Sequence, residues 1–134
     1  MPAAGPSSGG ESWYSYAIVR VVPRVERGES LNVGIILFSR TRHFLEARIE
    51  VDEKRLLALT PGADLAQLEA HLATFRAIAA GDEAGGSIAR LGQSERFHWL
   101  TSPRSTIIQT SEVHTGRCDD PERLIEDLME RLVR

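Results

Sequence analysis

The chain has 134 residues, 42% apolar and 26% charged, with a formal net charge of −3, the balance of one globular domain with a sizeable core. A single cysteine, Cys118, excludes an internal disulfide framework and a cysteine-rich zinc site. The negative balance argues against a basic nucleic-acid footprint over the whole surface. No apolar run approaches the ~20 residues that span a bilayer. Met1 to Gly10 carries no positive charge and no apolar core of a secretory signal, so the expected location is the cytoplasm.

Residues 1–12 are mainly Pro, Ala, Gly and Ser, a composition that cannot offset its own ordering entropy, and are expected to form a disordered tail. Residues 13–134 then form one domain. Trp13 to Val25 reads as a strand, rich in aromatic and β-branched residues in both alternation phases, closed by Pro23. The charged segment Arg24 to Glu29, with Gly28, suits a turn. Leu31 to Phe38 is a second strand, in which Gly34 marks a bulge or a close backbone approach. Phe44 to Val51 alternates, with Leu45, Ala47, Ile49 and Val51 on one side and Glu46, Arg48 and Glu50 on the other.

The period then changes. Asp52 caps a short helix over Glu53 to Leu59, stopped by Thr60-Pro61-Gly62. A longer helix runs from about Asp64 to Gly81, with Leu65, Leu68, Leu72, Phe75 and Ala79 on one face. Asp82 to Ser87 reads as a Gly-rich loop, and Ile88 to Leu100 is ambiguous but favours a short helix. Thr106 to Val113 reads as a fourth strand. Asp120-Pro121 opens a last helix with a wide apolar stripe from Leu124 to Val133. The expected fold is therefore α+β: an antiparallel sheet of about four strands, in the order β-β-β-α-α-β-α, with the helices packed on one face.

Two polar constellations need explaining. The first is Arg20, Arg24, Arg27, Glu29 and Asn32. Arg20 sits in an apolar strand in phase with Tyr14, Tyr16 and Ile18, and a buried arginine wants a partner such as Glu29. The functional reading is a polar pocket for an anion or a peptide carboxylate; the structural reading is an ion pair and a side-chain bond that hold the turn. The second is Thr101 to Thr106 followed by Gln109, Ser111, His114 and Gly116, in which Arg104 with neighbouring hydroxyls suits phosphate or simply a solvated strand and its turns. Residues 13–50 hold six arginines and four glutamates, which permits a local basic patch.

Glu29 and His114 are the candidates for moving a proton. Neither Ser105 nor Cys118 lies in a recognised nucleophile signature, so a triad of Ser105, Glu112 and His114 would need tertiary convergence. His43, His71 and His98 do not pair at zinc-helix spacing, and Gly85-Gly86 lacks the Lys-Ser/Thr of a phosphate loop. No metal and no cofactor is expected.

The stretch from Tyr14 to Pro23, continued by Arg27-Gly28-Glu29-Ser30-Leu31-Asn32-Val33-Gly34, resembles the opening of a bacterial family, domain of unknown function 3037. Trp99 to Thr106, Val113-His114-Thr115-Gly116 and Asp120-Pro121 resemble its closing motif. The resemblance covers nearly all of residues 13–133. It implies Arg20, Glu29, Asn32, Gly34, Arg104, Ser105, His114 and Gly116 as signature residues without assigning them a role. It also implies a gene neighbourhood with HipA-type kinases, hence an accessory role beside such a kinase.

Three functions follow as expectations. The leading one is a non-catalytic protein-interaction or accessory module, partnered by a HipA-type kinase and using Arg24, Arg27 and Arg104. The alternative is a small-ligand or phosphate binder, or an enzyme, whose pocket joins Arg20, Glu29 and Asn32 to Arg104, Ser105 and His114. A nucleic-acid binder is the weakest, because the rest of the chain is acidic. No membrane association is expected.

Overall fold

The computed structural model describes residues 10–103 and 106–134. The strands are β1 (Ser12–Val21), β2 (Leu31–Ser39), β3 (Phe44–Ile49), β4 (Ile108–Thr110) and β5 (His114–Cys118), and the helices are α1 (Glu53–Leu59), α2 (Leu65–Ala80), α3 (Gln93–Leu100) and α4 (Pro121–Leu132). All strand pairs are antiparallel. The order is β3-β2-β1, with β4 and β5 lying one after the other along the free edge of β1. This is the expected α+β class. Of the expected fourth strand, Thr106 to Val113, only β4 is strand, facing Val19 to Val21, and β5, which faces Ser12 to Tyr16, is a fifth strand beyond its expected end.

The break between them has a local cause. Ser111 turns its hydroxyl into the ladder, where its Oγ accepts from the Ile18 amide at 2.8 Å and donates to the Glu112 carbonyl at 2.8 Å. Its own amide bonds the Ile18 carbonyl. A side-chain oxygen thus replaces a backbone acceptor while the chain bulges, and the Ile18 amide and carbonyl both keep partners.

The helices do not share one face, and here the expectation is corrected. Val19, Val21, Ile36, Leu45 and Ala47 pack against Leu56 of α1, against Leu68, Leu72, Phe75 and Ile78 of α2, and against Phe97 and Leu100 of α3. On the opposite face, Ile18, Ile35 and Leu37 pack against Ile125, Leu128 and Met129 of α4 and against Val133, which follows it. The sheet is sandwiched between helices. The apolar residues in both phases of β1 and β2 required this, since each face needs a cover. Full burial of each such aliphatic side chain contributes roughly 1.5–3 kcal/mol.

Local signals placed the helix ends. Asp52, Asp64 and Asp120 each accept from first-turn amides, and Gly81 ends α2 in the left-handed region at φ 74°. The sequence favours a loop over Asp82 to Ser87 and a short helix over Ile88 to Leu100. Instead Glu83–Arg90 forms 3₁₀ turns kinked at Gly86 (φ 76°), and the helix itself is confined to α3. A register shift beside Val19 and Arg20 places a bulge at Val33 in β2. A Cβ on Gly34 would lie 2.5 Å from the Arg48 carbonyl oxygen, so the glycine there reflects close approach of β3.

Candidate functional site

The β1–β2 hairpin divides the first constellation between two places. Arg20 and Asn32 are register partners on the α4 face. Arg20 Nε donates to Asn32 Oδ1 at 3.2 Å, and Asn32 Nδ2 donates to the Leu132 carbonyl at 2.9 Å. Leu132 is the last residue of α4, so this pair satisfies a terminal carbonyl that has no partner within its own helix. The partner of Arg20 is an amide rather than the carboxylate of Glu29.

Arg24, Arg27 and Glu29 lie instead at the hairpin tip. Amides of Arg27 and Gly28 bond the Arg24 carbonyl, and Gly28 takes φ 73°. The turn thereby brings Arg24 and Arg27 to one rim. Arg27 contacts Glu29 through Nε at 2.9 Å and Nη2 at 3.3 Å, an exposed pair of small energetic weight. The guanidinium of Arg24 makes no hydrogen bond or ion pair with a described residue. With Pro23, Thr60 and Pro61, these three side chains line a cleft of about 320 Å³ between the hairpin and the end of α1.

The second constellation lies along β1. Gln109 is the register partner of Arg20, and His114 that of Tyr16. Arg20 and His114 therefore share a face, four β1 positions apart, or roughly 13 Å. Buried Ile18 lies between them. His114 is exposed, its ring 5.2 Å from that of Tyr16. Among the described residues, no hydrogen bond joins it to Glu112. Arg104 and Ser105, and with them the triad and the phosphate reading of that loop, lie outside the described residues. Gly116 faces Tyr14, whose hydroxyl would lie 2.5 Å from a Cβ there. Its role in this strand pair is to admit the tyrosine ring.

Several polar side chains that sequence reasoning passed over also secure the backbone. Arg96, 9% exposed, donates to the Ile78 and Ala79 carbonyls at 2.9 and 2.8 Å and to Leu91 at 2.9 Å. A cation thus closes the C-terminal end of α2, where it complements the helix dipole. Its signal in the sequence was a charge directly beside Phe97 in a partly apolar helix. Arg42 ties the β2–β3 turn to Ser12 and Gly10. Arg134 bonds Glu50, Glu126 and Glu130, and Arg48 bonds Glu46 and Glu126. The Glu50 and Glu126 carboxyls are held below their ordinary range, first by hydrogen bonds from Arg134 and against the opposing effect of desolvation. Burial pushes the Cys118 thiol up, away from the thiolate a nucleophile needs. No group of three His, Cys, Asp or Glu among the described residues could hold a metal ion, and no described helix is long and apolar enough to cross a membrane.

Fold and polar groups together define a small α+β domain in which many polar side chains hold its own backbone, with an arginine-rimmed cleft at one hairpin. Residues 16–133 match the family model described as protein of unknown function (DUF3037), and the chain belongs to that family. No curated protein and no solved structure matches it.

Proposed function

We propose that the chain is a non-catalytic protein-interaction module that engages an acidic segment of a partner protein through the Arg24–Arg27 hairpin. The observation that carries this reading is the place of Arg24, which like exposed Arg40, Arg90, Arg123 and Arg131 has no side-chain bond to a described residue but unlike them lines a cleft. Arg20, Arg42, Arg48, Arg96 and Arg134 bond groups of the fold itself, whereas Arg24 is exposed on a cleft with its guanidinium uncommitted. Two exposed apolar side chains adjoin cleft residues in sequence, Val25 beside Arg24 and Leu57 beside Ala58. Arginine with apolar neighbours is the composition that protein interfaces favour. A HipA-type kinase, the partner class implied by the family resemblance, is the first candidate.

The test uses the tagged full chain and its Arg24→Glu/Arg27→Glu variant, each crosslinked and purified from the native host. One protein recovered in stoichiometric amount by the parent and lost by an equally stable variant supports the reading. Equal recovery by both, or no partner with either, refutes it.

A further inference from the structure

The sheet ends at β3 on one side and at β4 and β5 on the other. The β3 edge carries the Glu46–Arg48 ion pair, and Arg48 ties it to Glu126 of α4, the kind of charged edge that resists further pairing. On the edge of β4, Thr106 Oγ1 donates to the Ile108 carbonyl at 2.9 Å. The edge of β5 has no such cover. The Ile18 amide and carbonyl both bond Ser111, so even-numbered residues of β1 turn their backbone groups toward β4 and β5. His114 and Gly116, the register partners of Tyr16 and Tyr14, therefore exchange bonds with β1. Thr115 and Arg117 present their N–H and C=O groups outward, and among the described residues nothing bonds them there. Two exposed apolar side chains adjoin this edge, Trp13 at 63% and Val113 at 43% exposed.

We infer that β5 pairs antiparallel with β5 of a second copy of this chain, about a twofold axis at Gly116, and so joins two sheets into one. The strand itself selects this occupant. Gly116 is the middle residue of His114–Cys118, so an axis there pairs the whole strand with itself. Thr115 of each copy then exchanges both backbone bonds with Arg117 of the other, a self-complementary contact. The two Gly116 residues face each other without side chains. Over each lies its own Tyr14, whose ring leans from β1 so that the hydroxyl falls 2.5 Å from where a Gly116 Cβ would be. Among the described residues that hydroxyl has no hydrogen-bond partner. The twofold axis brings the two hydroxyls to neighbouring positions above the glycine pair, where each can donate or accept. A strand with a side chain opposite Gly116 would instead meet the end of the tyrosine ring. On the other face of the sheet, Arg117 turns its guanidinium back over Trp13, 5.3 Å from the ring centroid, and stands opposite Thr115 rather than a second arginine. An interface of this kind lies below about 1,200 Å², so the dimer depends on concentration. Because β5 pairs with the start of β1 and Arg24 follows its end, the inference is independent of the hairpin reading.

Sedimentation velocity of the full chain over a concentration series should show the mass rising from the 14.8 kDa monomer toward twice that value. Thr115→Pro removes an outward N–H and spares the β1–β5 ladder. It should stay monomeric at the highest concentration, with melting unchanged at the lowest. His114→Cys, at an exposed position, gives a second readout. In the dimer position 114 stands opposite Cys118 of the second copy, with Cβ atoms about 4.5 Å apart. Within one chain the two positions are about 13 Å apart along the strand and cannot be bridged. Mild oxidation of His114→Cys should therefore give a covalent dimer linked between positions 114 and 118, mapped by peptide mass spectrometry, and Cys118→Ser in the same chain should abolish it. A parent that stays monomeric throughout, a dimer that survives Thr115→Pro, or an oxidised His114→Cys chain linked only between like positions overturns the inference. A monomeric parent whose native partner is lost with Thr115→Pro also overturns it, and gives this edge to a strand of another protein.

Discussion

Asn32 Nδ2 donates to the carbonyl of Leu132, 100 positions later, at 2.9 Å, while its Oδ1 accepts from Arg20. One amide side chain therefore connects β1, β2 and the end of α4. Replacing Asn32 with Ala leaves the Leu132 carbonyl and the Arg20 guanidinium short of a partner, each at a part-buried site. The expected loss is about 1–3 kcal/mol, read as a lower urea midpoint, with faster amide exchange confined first to the last turn of α4. An unchanged midpoint would show that water replaces Asn32 at no cost.

Gly34 and Gly116 both sit opposite close neighbours, but the neighbours differ in compliance. A Cβ at Gly34 meets the Arg48 carbonyl at 2.5 Å and the Ile49 side chain at 2.7 Å. The first is backbone of a paired strand and cannot withdraw. The three atoms nearest a Cβ at Gly116 all belong to the Tyr14 ring and its hydroxyl, the far end of a half-exposed side chain. Gly34→Ala should therefore cost more than Gly116→Ala, about 2–3 kcal/mol against about 1. Thermal unfolding of the two variants decides it, and the reverse order would contradict the geometry.

Arg96 is expected to be the most damaging arginine to remove. Arg96→Met keeps much of the apolar stem but removes the guanidinium donor from the carbonyls of Ile78, Ala79 and Leu91, of which Ile78 keeps the Gly81 amide. A loss of about 2–4 kcal/mol is expected, with hydrogen exchange rising at the end of α2 and in the following 3₁₀ turns. Arg24→Ala, exposed and unbonded, should stay within ~0.5 kcal/mol of the parent. Equal midpoints for the two variants would refute the assignment.

Acid should loosen the seam between α4 and β3. Glu50 and Glu126 titrate below their ordinary 4.5 in the folded chain, first because Arg134 hydrogen-bonds their ionised forms. A carboxyl whose folded value is depressed contributes stability that is complete above its unfolded value and lost as pH falls through the folded one. Arg134→Ala should therefore be less stable than the parent at neutral pH, and the gap should close as pH falls through the lowered folded-state range of the two carboxyls. Because these groups are exposed, the gap should be modest and should shrink in molar salt. A gap that persists in acid would assign the role of Arg134 to packing instead.

Local chemistry was legible along the chain. The aspartate caps of α1, α2 and α4, the stop at Gly81, the hairpin at Gly28 and the bulge near Gly34 all follow from side-chain bonds or backbone freedom within a few residues. Helix and strand periods likewise identified most core residues. The candidate site was legible only in part. Arg20 was marked by its place among apolar neighbours, but its tie to Asn32 and Leu132 was not readable, because the third member is a backbone carbonyl 100 positions away. Ser111 was hidden in a run of hydroxyls, and its substitution for a ladder acceptor depends on where β4 leaves β1.

What the sequence by itself determined is therefore the class of fold, the first three strands and the helix ends, since period, capping and turn geometry act over short separations. Tertiary structure alone decided that α4 covers the opposite face of the sheet from α1 to α3, and that Arg20 is tied to Asn32 on the α4 face while Arg24 stands exposed at the hairpin tip. Each of these depends on which long-range partners satisfy an apolar face or a polar group, and many partners of equal local merit compete for it until the whole chain is packed.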